Sequence, residues 1–150
     1  MALRGRPIGA VEDLGRWLAD NGSSLTPAGQ VVATFVVGSD GRLYLADRHS
    51  EHIACSGGRP VRSAGEIFFA GDGGEVDEVS NQSTGFCPEP ESWEAVAQAL
   101  DRIGIPHPGR FTAEFNFRRC PACGERNLVK EAIFECLLCG DELPQAWNFN

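Results

Sequence analysis

Hydrophobic positions recur along this chain with two periods, and the switches between them mark its elements. Val11, Leu14, Trp17 and Leu18 fall on one face of a helix. Asn21-Gly22 supplies its stop, with glycine suited to a left-handed residue. Residues 23–30 predict a loop. Val31–Val37 is a β-branched, apolar run, and Gly38-Ser39-Asp40-Gly41 turns it into Arg42–Ala46, which predicts a hairpin with the helix lying on it. Gly65–Ala70 and Glu75–Ser80 form a second hairpin across Gly71–Gly74. After Pro88-Glu89-Pro90-Glu91-Ser92, the residues Trp93, Val96, Ala97 and Leu100 repeat at helical spacing until Gly104. Phe111, Phe115 and Phe117 fit a strand. The pattern predicts an α+β fold, a small antiparallel sheet with two helices, over residues 1–117. Trp147 and Phe149, in the tail, either fold back on the core or fray.

The remaining segment, 118–150, reads differently. Cys120-Pro121-Ala122-Cys123-Gly124 and Cys136-Leu137-Leu138-Cys139-Gly140 repeat one form, C-x-x-C-G, with twelve residues between Cys123 and Cys136. Two residues between cysteines let one tight turn aim both sulfurs at one ion, and the following glycine takes positive φ without a steric penalty. Cys120, Cys123, Cys136 and Cys139 together make the closed tetrahedral shell of structural Zn²⁺. With four protein ligands no position stays open for water or substrate, so the metal's role is structural. Iron in a rubredoxin-like site is the alternative cofactor, and two disulfides are the alternative to a metal. Asn127–Lys130 and Ala132–Glu135 are expected as the strands of a C-terminal zinc ribbon, joined near Lys130-Glu131.

Bulk properties narrow the function classes. The chain has 150 residues, of which 42% are hydrophobic, enough for one core and a small appendage. No apolar run is long enough to span a bilayer, and Met1–Ala10 lacks the apolar core of an export signal. A cytoplasmic location follows, where thiols stay reduced and paired C-x-x-C motifs favour metal. The formal charge of −8 counts against general nucleic-acid binding. Arg118, Arg119, Arg126 and Lys130 are the one cluster that would make a local basic patch. An acidic surface suits a protein partner, especially a basic one.

The middle of the chain carries candidate chemistry. His49, Ser50 and Glu66 are a possible base, nucleophile and orienting acid. The N–H groups of Gly57-Gly58, with Arg59 or Arg62, are a candidate anion cradle, and Cys55 and Cys87 are candidates for reactive thiols or for a fifth and sixth metal ligand. Ser83 lies in a polar loop, Ser80–Gly85, that ends in proline at Pro88. A structural reading is simpler: His49 and Glu66 hydrogen-bonded across strands, the glycines making a turn, Ser83 and Thr84 capping loop backbone, and the two cysteines packed as small apolar residues. The order His49-Ser50, Gly58-x-Pro60-Val61, Ala64-Gly65-Glu66, Ser83 and Pro88 resembles a poorly characterised module of plant IQ-motif (calmodulin-binding) proteins and bacterial toxin-like proteins. The resemblance covers residues 42–103. Thr84, Gly85 and Phe86 stand where that module has Gly, His and Tyr. The resemblance implies no settled activity. Two function classes remain: a protein-interaction module, of immunity or regulatory type, or a small enzyme or ligand-binding protein whose pocket is built from His49, Glu66 and the two loops.

Overall fold

The computed structural model describes residues 3–22 and 25–149; Ser23 and Ser24, within the expected loop, lie outside the described residues. Its centre is the β-branched run. That segment, strand β2 (Val31–Gly38), is buried from Val31 through Val37. A strand with both faces apolar needs cover on both sides, and the sheet is built around it. Strand β1 (Arg6–Ile8), unanticipated in the sequence, pairs with β3 (Leu43–Asp47); β3 pairs with β2, β2 with β4 (Val61–Phe69), and β4 with β5 (Val76–Val79), all antiparallel. The strand order is β1-β3-β2-β4-β5. The first hairpin forms in the expected place, with Val37 opposite Leu43. The second carries an irregularity between Phe68 and Phe69. A bulge there puts Val76 and Val79, three positions apart, into the same core, which explains their imperfect alternation.

Helices α1 (Val11–Asn21) and α3 (Trp93–Ile103) cover one face. Leu14, Trp17, Val96 and Leu100 meet Phe35, Leu45, Ile67 and Phe69 there. Asp13 accepts the N–H groups of Gly9 and Ala10 at 2.9 and 3.1 Å, satisfying donors at the start of α1. Gly22 ends α1 in the right-handed region (φ −69°), not the left-handed one expected, because the Asn21 amide donates to the Trp17 carbonyl at 2.8 Å and closes the last turn itself. Gly104 does end α3 left-handed, at φ 88°. The other face of β2 is covered by a third, five-residue helix, α2 (His52–Ser56), and by the loop after β5, so that Val36, Ala46, Cys55 and Ala64 form a second cluster.

The C-terminal segment forms its own two-stranded sheet, β6 (Asn116–Arg119) with β7 (Arg126–Val129). Residues 111–115 are irregular where a strand was expected, because Thr112 and Ala113 hydrogen-bond to the Val79 carbonyl at the sheet edge. The α+β sheet with its two long helices and the following four-cysteine segment match the pattern read from the sequence. Among the described residues, no helix is long and apolar enough to cross a membrane.

Candidate metal centre and the loops beside it

Two copies of one turn build the metal centre. In the first, Gly124 donates to the Cys120 carbonyl at 2.9 Å with φ 79°; in the second, Gly140 donates to the Cys136 carbonyl at 2.9 Å with φ 81°. Each first cysteine donates its own N–H to the residue after that glycine, Cys120 to Glu125 and Cys136 to Asp141, both at 2.8 Å. A side chain at either glycine would strain this backbone. The turns aim four sulfurs at one point. Cys120 and Cys139 Sγ lie 3.5 Å apart, Cys123 and Cys136 Sγ 3.6 Å apart, and all four fall within 4.8 Å of one another. A tetrahedron with metal–sulfur bonds of about 2.3 Å has sulfur–sulfur edges of about 3.8 Å. The cage therefore fits a four-thiolate metal ion.

The surroundings favour thiolate at Cys136, whereas at Cys123 and Cys139 the backbone N–H groups are outweighed by the neighbouring cysteines and burial, which push the thiols up. Cys136 Sγ faces the Cys139 N–H, the Asn127 amide and the Leu138 N–H, which pull its thiol down to about 6. Asn127 is buried and holds the second turn: its Nδ2 donates to Cys136 Sγ at 3.5 Å, and its Oδ1 accepts the Leu137 N–H at 2.9 Å. Such outer partners orient metal ligands. The expected hairpin between the cysteine turns is present only as an isolated bridge, Lys130 to Ile133, around Glu131 and Ala132, both at positive φ. The continuous ladder is instead β6 with β7, across the first turn. Strands in a segment this small pair where the metal turn already brings the chain together.

The expected basic patch is dispersed into structural contacts. Arg118 is buried; its guanidinium donates to the carbonyls of Phe117, Pro144 and Gln145 and lies over the Phe134 ring at 5.6 Å. Arg126 reaches out of the ribbon and donates to the Thr84 and Gly85 carbonyls at 3.0 and 2.8 Å. Arg119 lies over the Phe149 ring at 5.4 Å, and Lys130 is exposed. The tail folds back: Asn148 exchanges two hydrogen bonds with the Arg119 backbone, and the Trp147 indole donates to the Cys87 carbonyl at 2.8 Å.

The loop after β5 is thus the seam between sheet and ribbon. Its anchor, Asn81, was not singled out in the sequence. Fully buried, Asn81 accepts the Phe115 N–H at 2.7 Å and donates to the carbonyls of Phe115 and Pro88 at 2.8 and 3.1 Å. A side-chain amide carries one acceptor and two donors, and all three are used. A polar residue between a strand and a proline-terminated loop was the available signal. Ser83, buried, accepts the Phe86 N–H at 3.3 Å with its hydroxyl, an ST turn. Cys87 sits at φ 48°, and burial pushes its thiol up to about 11; burial pushes Cys55 up to about 12.

The other candidate residues divide between exposed turn and sheet. His49 is exposed, and its N–H donates to Asp47 Oδ1 at 2.8 Å; the Ser50 hydroxyl donates to Asp47 Oδ2 at 3.3 Å. Glu66, on β4, is half-buried and opposite Thr34. The histidine beside it is His52, at the start of α2, whose Nε2–H donates to the Gly65 carbonyl at 2.8 Å. Burial holds the His52 imidazole below its ordinary range, against that hydrogen bond and the nearby Glu66 charge. Gly57, at φ 66°, donates to the Ala54 carbonyl, and Gly58 donates to that of Ile53, so both N–H groups close α2 and neither faces a ligand. Gly65 has a different need: a Cβ there would meet the Ser80 carbonyl oxygen at 1.8 Å. His49, Ser50, Gly57, Gly58 and Ser83 each make local backbone contacts, and Glu66 shares its surroundings with His52 and Ser80. No family model matches the chain, and no curated protein or solved structure matches it either.

Proposed function

We propose that this is a cytoplasmic structural-zinc protein whose task is to bind another protein through its ribbon. The supporting observation is apolar surface where metal has replaced a core. Leu137, Leu138 and Ile133 are 80%, 69% and 56% exposed. Ile133 and Leu137 line a groove of about 300 Å³ together with Leu128. Single exposed apolar residues are ordinary, but a group of them on a rigid knuckle marks an interaction site. Burying each leucine against a partner contributes about 2 kcal/mol. Glu131, Glu135, Asp141 and Glu142 are exposed around the group, with Lys130 beside them. The fitting partner has an apolar centre and a basic rim, and charge complementarity speeds its encounter. An immunity-type or regulatory role is consistent with such a surface.

Zinc is the metal proposed because a closed shell of four cysteines from paired C-x-x-C turns is the structural zinc type; a rubredoxin-like iron would use the same thiolates, and metal analysis of the purified protein distinguishes the two. The dispersal of Arg118, Arg119 and Arg126 into internal contacts weighs against nucleic acid as the ribbon's ligand. The test is comparative capture from extracts of the producing cells, using the metal-loaded protein and its Leu137→Asp/Leu138→Asp variant. The expected result is a protein retained in stoichiometric amount by the parent and lost by the variant, with metal content equal in both. Identical capture by both forms would remove the ribbon tip from the interaction.

A further inference from the structure

A second concavity lies away from the ribbon tip, where the returning tail meets the loop after β5. It encloses about 310 Å³, and its walls include three half-buried aromatic rings, Phe86, Trp147 and Phe149. Glu89 and Glu91 line it as well, and neither forms an ion pair among the described residues. Arg62 also borders the groove and keeps its charge, its guanidinium donating to the neutral Ser39 carbonyl at 2.8 Å in the turn between β2 and β3; the two carboxylates outnumber it. Aromatic faces attract cations, and carboxylates beside them complete the charge.

We propose that this groove binds the side chain of an arginine presented by a partner protein. Flat aromatic walls favour the planar, weakly hydrated guanidinium over the compact, strongly hydrated ammonium of lysine. The chain's own Arg119 lies over Phe149 at 5.4 Å, which leaves Phe86 and Trp147 as the aromatic walls for an incoming guanidinium. The aromatic wall is also fixed: Trp147 is held by its bond to the Cys87 carbonyl, and the Trp147 and Phe149 rings lie 5.9 Å apart. Preformed rings lose little freedom on binding. The volume is at the lower limit of roughly 300–1,000 Å³ for small-molecule pockets, which suits one side chain and excludes a large cofactor. The inference rests on the interaction reading above, and extends it to a second contact with the same basic partner.

The test uses the metal-loaded full chain, titrated with N-acetyl-arginine amide while the Trp147 indole N–H is followed by NMR, its resonance assigned with Trp147→Phe. The expected result is a saturable shift with a dissociation constant on the order of 1 mM. Glu89→Gln/Glu91→Gln should weaken binding at least ten-fold, whereas Glu131→Gln/Glu135→Gln, which removes equal charge at the ribbon tip, should not. The Trp17 and Trp93 indole signals report whether each variant keeps its fold, and the parent titration stands alone if one does not. No saturable shift of Trp147, or equal weakening by both double variants, would overturn the proposal. Failure at the groove leaves Leu137→Asp/Leu138→Asp capture unaffected, so the two sites fail separately.

Discussion

Strand β2 and the ribbon stand at opposite limits of what a chain does with apolar area. From Val31 to Val37 every side chain of β2 is buried, between α1 and α3 on one side and α2 with the seam loop on the other. The ribbon buries Phe117, Leu143 and two of its cysteines, and leaves Ile133, Leu137 and Leu138 in water. A unit of that size cannot bury enough surface to offset its chain entropy and needs a metal or another cross-link. Metal therefore does for the ribbon what the sheet core does for β2. It also frees the ribbon's apolar residues for the surface, which a core-built domain of the same size has no means to do.

Breaking the metal should separate the two regions most sharply. Cys120→Ser or Cys139→Ser is expected to abolish tight zinc binding and unfold the ribbon, since structural zinc supplies about 10–16 kcal/mol of folding free energy. NMR amide signals of residues 116–143 should collapse while those of β2 persist; a metal-loaded ribbon in either variant would refute the four-thiolate site. On the sheet side the largest effect belongs to Gly65→Ala. Its new Cβ would meet the Ser80 carbonyl oxygen at 1.8 Å, and the strand must move, at a cost of about 3 kcal/mol. Chemical denaturation measures this, and an unchanged midpoint would show that β4 and the residues after β5 are not so closely crossed.

Two smaller changes sharpen the comparison at the seam. Asn81→Ala leaves the Phe115 N–H and two carbonyls without their partner. It should cost about 2–3 kcal/mol and speed hydrogen exchange at Phe115 more than in β2. Arg126→Ala removes exposed bonds to Thr84 and Gly85 and should cost about 1 kcal/mol, read as looser ribbon docking with zinc retained.

The smallest effect is a pH dependence from His52. Burial holds its pKa below the ordinary 6.5, so the unfolded chain binds the proton more readily than the folded one. Its contribution to stability is complete above pH 6.5 and declines as the pH falls from there through the folded pKa. His52→Gln should flatten the stability profile in that window. An NMR titration placing His52 at or above the ordinary histidine value would contradict the burial that outweighs its hydrogen bond to the Gly65 carbonyl.

What the sequence disclosed follows the same division. Period and composition locate β2, α1, α3 and both hairpin turns because burial there is repeated along many residues. The cysteine turns are legible from four residues and two glycines because coordination geometry allows few spacings. The seam was not legible. Asn81, Arg118 and Arg126 act on backbone groups 34, 26 and 42 residues away along the chain, and no local period records such pairings. For the same reason the sequence draws attention to the neighbours His49-Ser50, which lie in an Asx turn at Asp47, while the histidine that approaches Glu66 is His52. Ser83 and the glycines at 57 and 58 stand out by type, yet their polar groups close loop and helix backbone.

In the ribbon, a metal ion stands in for a hydrophobic core. Native mass spectrometry of the protein as purified, followed by chelation under NMR observation, tests it most directly. The expected mass is that of the chain with one zinc ion, and chelation should erase ribbon signals while β2 remains ordered. A metal-free mass reduced by the hydrogens of two disulfides, or a ribbon that stays folded after its metal is removed, would contradict it.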